Sequence, residues 1–196
     1  MPALDSATRI LFSGGRTIDP ANSVDTVQNV YIADGKIIAL GHAPQGFTAD
    51  MEIDAAKLIV CPGLIDICAR LREPGQEQKA TIATESLAAA SAGITTLCCP
   101  PDTHPVIDTP AVTEFIRLRA EAAGHSRIVT LGALTRSLGG EHLSEMAALR
   151  NAGCVGVGNA LKPLLNPLIL RRALEYAATF DLTVFLHPNE HWLANN

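Results

Sequence analysis

Val60-Cys61-Pro62-Gly63-Leu64-Ile65-Asp66-Ile67-Cys68-Ala69-Arg70-Leu71-Arg72-Glu73-Pro74-Gly75 is the stretch on which the fold assignment turns. The apolar run from Leu58 to Ile67, broken only by Pro62-Gly63 and Asp66, predicts a core strand of a parallel sheet with both faces covered. A loop rich in polar groups follows it. Side chains alternate along a strand, so Cys68 and Arg70 share one face at its end. Two histidines at those positions would both reach one metal ion; this chain has a cysteine and an arginine there.

After residue 58 strands alternate with helical segments. Ala80 to Ala92 has helical composition, stops at Gly93 and leads into the strand Ile94–Cys99. Thr109-Pro110 predicts a second helix to about Ala123, with threonine as N-cap and proline at the first helical position. Strands are expected at 128–131, 154–157 and 182–186, with helices near 143–151 and over 167–180. Repeated βα units of this kind imply an α/β fold, either an eight-stranded (β/α)8 barrel or an open doubly wound sheet. No Gly-x-Gly-x-x-Gly or phosphate loop follows a strand, which favours the barrel.

A full barrel needs about 250 residues, and about five βα units fit here. An incomplete TIM-type barrel over 58–196 is therefore the expected second domain, a fragment whose missing strands come from further sequence or another chain. Before it, residues 1–57 read as short strands: 9–12, then a Gly14-Gly15 turn, then 28–32 and 36–40 joined at Asp34-Gly35. Asp-Gly between apolar strands is a hairpin signal. A small N-terminal β-sandwich portion is expected.

Composition narrows the classes. Of 196 residues, 47% are hydrophobic and 18% charged, enough to bury a core. A formal net charge of -5 without a basic block argues against nucleic acid and anionic membrane surfaces. With no leader-like N-terminus and no run near the roughly 18 apolar residues of a membrane span, a cytoplasmic location is expected. Five cysteines at irregular spacing predict reduced thiols.

The segment from Pro62 to Gly75 resembles the Pro-Gly-x-Ile-Asp-x-His-x-His-x-Arg-Glu-Pro-Gly signature of the dihydroorotase family in the amidohydrolase superfamily. The order of strands before it resembles that family's N-terminal β-sandwich. The resemblance implies that Cys68 and Arg70 stand at the two metal-binding histidines and Arg72 at the arginine that pairs with a substrate carboxylate. An ion pair of Arg72 with Glu73 or Asp66 is an equal alternative. Residues 98–108 resemble a Met-Pro-Asn-Thr-x-Pro-x-x-Asp segment, with Asp102 at the substrate-binding asparagine. Val157 to Lys162 resembles a Ser-Asp-Asp-Gly-like segment, with Asn159 and Ala160 at its acidic positions. His187, in a segment similar to Val-x-x-His-x-x-Asp, stands at a retained metal ligand. Cys68 could ligate zinc as a thiolate, but the guanidinium of Arg70 cannot, and its expected role is to fill the pocket and pair with an acid or carbonyl.

These replacements imply a non-catalytic dihydroorotase-like protein of pyrimidine biosynthesis, holding no cofactor. It would be oligomeric and act as a structural partner of aspartate carbamoyltransferase, as family members lacking those histidines do. The alternative is an active zinc-dependent cyclic amide hydrolase of the dihydroorotase, hydantoinase or allantoinase type, using Cys68 and His187.

Overall fold

The computed structural model describes residues 8–188. The chain forms two units, Met1–Pro62 and Gly63–Asn196.

The first unit contributes one mixed sheet, a single layer. Its strands are β1 (Ile10–Asp19), β2 (Val24–Ala33), β3 (Lys36–Leu40), β4 (Met51–Asp54) and β5 (Ile59–Val60). They run in the order β3-β2-β1-β4, with β5 also on β1. The β1–β2 and β2–β3 pairs are antiparallel, whereas β4 and β5 lie parallel to β1. The expected hairpin forms, with Ala33 opposite Lys36. Asp34 and Gly35 turn it at φ values of 51° and 68°, the left-handed pair that matches strand twist.

Gly14-Gly15 is not a turn. It lies inside β1, where the register against β2 shifts between Phe12 and Gly15, so the pair marks a β-bulge. The reversal comes at a short 3-10 turn, Pro20–Asn22, entered through Asp19. The Asp19 carboxylate accepts from the Ala21 N–H at 3.1 Å and from Asn22 Nδ2 at 2.5 Å. Asp-Pro before an asparagine was the available signal.

The second unit contains β6 (Leu64–Asp66), α1 (Ile82–Ser91), β7 (Ile94–Cys99), α2 (Pro110–Ala123), β8 (Arg127–Ala133), α3 (Met146–Asn151), β9 (Gly156–Gly158), α4 (Pro167–Thr179) and β10 (Thr183–Phe185). Its five strands are all parallel and stand in sequence order from β6 to β10. That order has no reversal, which excludes the doubly wound sheet. The result is an incomplete barrel of α/β type.

Local chemistry sets the helix ends. Thr81 caps α1 in a reciprocal capping box with Thr84. Thr109 precedes Pro110 at the start of α2 without a side-chain capping bond. Behind the sheet, Leu97 and Cys99 of β7 pack with Ile82, Val112 and Ile116 from α1 and α2. A second cluster joins Leu134 and Val157 to Ala173 and Ala177 of α4.

The expected single buried strand over 58–67 is two strands in two sheets. Pro62-Gly63 divides the run, β5 pairs with Arg16 and Thr17 of β1, and β6 pairs with β7. Residues 58–62 therefore join the first unit. Nor is the run covered: Ile65 is 65% and Ile67 66% exposed. β6 is an edge strand among the described residues, with a neighbour on the β7 side only.

Candidate functional site

All five parallel strands point their C-terminal ends the same way, and the segments just beyond those ends are where such a fold collects chemistry. After β6, the Asp66 carboxylate accepts from the Cys68 N–H at 2.9 Å, and the Ala69 N–H donates to the Cys98 carbonyl of β7, also at 2.9 Å. These bonds fix the backbone on which Cys68 and Arg70 stand. Arg70 Nε donates to Asp102 Oδ2 at 2.9 Å. Its Nη1 lies 3.9 Å from the sulfur of Cys68. The hydrogen bond to Asp102 raises the already high pKa of Arg70, so a fixed cation occupies this strand end at all working pH values.

Cys68, Arg70, Leu131, Ala160, Phe185 and His187 line one cavity of about 200 Å³ at the strand ends. Its remaining lining is largely apolar. Asn159 is not on that surface. It is 2% exposed, and its Oδ1 accepts from Thr135 Oγ1 at 2.7 Å while its Nδ2 donates to the carbonyls of Lys162 at 3.2 Å and Leu138 at 3.4 Å. Thr135 Oγ1 in turn accepts from the Gly140 N–H at 3.0 Å. Asn159 thus ties the loop after β9 to the loop after β8.

Arg72 sits apart, exposed, with φ at 67°. With Arg70, Asp102, Thr103 and His104 it lines a separate small cavity of about 30 Å³. The alternative pairing of Arg72 with Glu73 or Asp66 does not form. Asp66 holds the Cys68 N–H, and buried Glu73 accepts from the Ile82 N–H at 2.8 Å and pairs with Arg119 at 3.1 Å. That role of Glu73 is not legible in the sequence, because it stands nine residues before Ile82 and the local cap of α1 is Thr81. The next two residues hold the loop tightly. Gly75 has φ at 104°, and a Cβ there would come within 2.5 Å of His104, so only glycine fits.

Cysteines divide by place. Cys61 and Cys68 are exposed; Cys98, Cys99 and Cys154 are buried. Burial pushes the thiol of Cys98 up to about 11 and that of Cys99 up to about 12. Cys154 is raised for the same reason and contacts Thr113 and Thr130. Among the described residues, no three His, Cys, Asp or Glu side chains converge as a metal-binding group. No helix there is long and apolar enough to cross a membrane.

A half-built parallel barrel with polar groups at its strand ends is the fold of amidohydrolases. The solved L-hydantoinase of Arthrobacter aurescens superimposes with a TM-score of 0.76 at 19% identity, over 91% of this chain and 40% of that one. The chain belongs to the dihydro-orotase-like family, whose family model matches residues 56–195. It is 51% identical over 185 residues to a dihydroorotase-like protein of Pseudomonas aeruginosa, covering 94% of this chain and 44% of that protein. It is 44% identical over 184 residues to a dihydroorotase of Geobacter sp. strain M21, covering 92% and 43%. The chain therefore spans less than half the length of these relatives.

Proposed function

We propose that this chain belongs to a dihydroorotase-like protein that has no hydrolytic activity of its own and serves as a structural partner of aspartate carbamoyltransferase. Family membership connects it with the amidohydrolases related to pyrimidine biosynthesis. The observation that carries the non-catalytic reading is the Arg70–Asp102 pair at the end of β6.

The residues present do not fit a catalytic zinc site, which takes three protein ligands and an open position. Arg70 has no lone pair to give and its charge opposes a divalent cation. Ala160 has no donor atom. Asn159 uses its amide within the fold, on Thr135, Leu138 and Lys162. Cys68 and His187 are the ligand-type side chains that these strand ends bring to the cavity. A bound metal is what would lower the pKa of water to generate hydroxide at neutral pH.

The carbamoyltransferase partnership follows from the resemblance to family members that lack the metal-binding histidines.

One experiment separates this reading from that of a zinc-dependent cyclic amide hydrolase. Full-length protein, purified without chelator, is analysed for metal and assayed for dihydroorotate hydrolysis with and without added zinc. Stoichiometric zinc with metal-dependent turnover overturns the proposal. The expected result is neither, together with co-purification of aspartate carbamoyltransferase and loss of its assembly when this protein is withheld.

A further inference from the structure

Cys68 and Cys98 stand side by side on neighbouring strand ends. The peptide joining Cys68 to Ala69 donates its N–H to the Cys98 carbonyl at 2.9 Å. Cys68 stands in the turn just after the β6–β7 ladder, which ends at Asp66 opposite Leu97, and this bond brings its backbone alongside that of Cys98, at about the 5 Å spacing of neighbouring strands. A disulfide needs a Cα separation of about 4.4–6.8 Å.

Their side chains share a face. Leu97 and Cys99 enter the helix-side core, and Ala69 packs against that same core. Alternation within β7 then turns Cys98 toward the opposite side, where Cys68 and Arg70 line the strand-end cavity. Exposure differs within the pair: Cys68 is open to solvent, and Cys98 is 5% exposed. Cys68 lies in the turn just beyond β6, outside the ladder that holds Leu64–Asp66 against β7, and closure asks this turn to bring the two sulfurs into bonding distance.

We propose that Cys68 and Cys98 form a redox pair that closes to a disulfide under peroxide. The exposed sulfur of Cys68 attacks hydrogen peroxide, the O–O bond breaks, and a sulfenic acid forms with release of one water. The sulfur of Cys98 then attacks the sulfenic sulfur, losing its proton as the S–O bond breaks and a second water leaves. Two thiols are oxidised by two electrons in total and one peroxide is reduced to two waters. Closure pulls Cys68 down against β7 and away from Arg70. A dithiol reductant reverses it.

The test is peptide mapping of the full-length protein under non-reducing conditions after equimolar hydrogen peroxide. The expected product is a linked pair of peptides containing Cys68 and Cys98, lighter by two hydrogens, with two fewer free thiols in denaturant and full recovery after dithiothreitol. C68S and C98A each abolish the link, and C61S leaves it intact. Accumulation of Cys68 sulfinic acid with Cys98 still reduced overturns the proposal, as does a link from Cys68 to Cys61 of another chain. Mapping of the unsubstituted protein gives this answer even where a variant folds poorly.

Discussion

The ends of β6 and β9 both carry residues of the candidate site, yet they hold them in opposite ways. At β6 they are surface side chains: exposed Cys68 and a partly exposed Arg70 joined to Asp102 by one ion pair. At β9 Asn159 is sealed inside and has bonds on both ends of its amide. The first end presents its side chains to the cavity, and the second builds Asn159 into the fold. A substitution is therefore a small structural event at β6 and a large one at Asn159.

The buried thiols of β7, lying between these two ends, set the largest expected effect. Cys98 and Cys99 release their protons near 9.0 when unfolded but only at about 11 and about 12 when folded. Between those values the unfolded chain binds fewer protons, so stability is full below pH 9 and falls as pH rises toward 12. The loss is about 1.4 kcal/mol per pH unit for each thiol. Urea unfolding from pH 8 to 11 measures it, and a flat profile would contradict the burial of this strand.

Asn159→Asp comes next. It removes both amide donors and sets a carboxylate against two carbonyls in a buried site, for a loss of about 2–3 kcal/mol in urea unfolding. A loss below about 0.5 kcal/mol, the range of ordinary surface changes, would break the contrast between the two strand ends.

Arg70→Ala should cost no more than about 1 kcal/mol, because the pair with Asp102 is partly solvated. A double-mutant cycle with Asp102→Ala isolates the pair itself; a coupling well above that bound would make the β6 end as integral as the β9 end. The smallest effect is expected for Ala160→Asp, within about 0.5 kcal/mol, since this half-buried position faces the open cavity and aspartate tolerates its φ of 49°.

The helices and the parallel strands were legible because their signals are local: threonine and proline at helix starts, glycine at the stops, and apolar runs between them. Asp34-Gly35 was legible for the same reason. Gly14-Gly15 misled because a bulge inside a strand and a turn use the same residue. The run over 58–67 misled because its hydrophobicity says nothing about how many neighbours the strand acquires, and Pro62-Gly63 separated two sheets where one strand was expected. In the site, residue types located the strand ends but not their connections. Nothing near Asn159 in sequence announces that Thr135, on the preceding strand's loop, takes up its oxygen, and nothing near Glu73 announces Arg119.

Glu73 carries a wider consequence. It divides its carboxylate between the start of α1 and an arginine of α2, so the most recognisable part of the Arg72-Glu73-Pro74-Gly75 loop acts as a brace. A protein can hold that brace unaltered and lose every reacting group beside it. Kinship detected through this loop is kinship of scaffolding, and it speaks with the same strength for a working enzyme and for a silent relative.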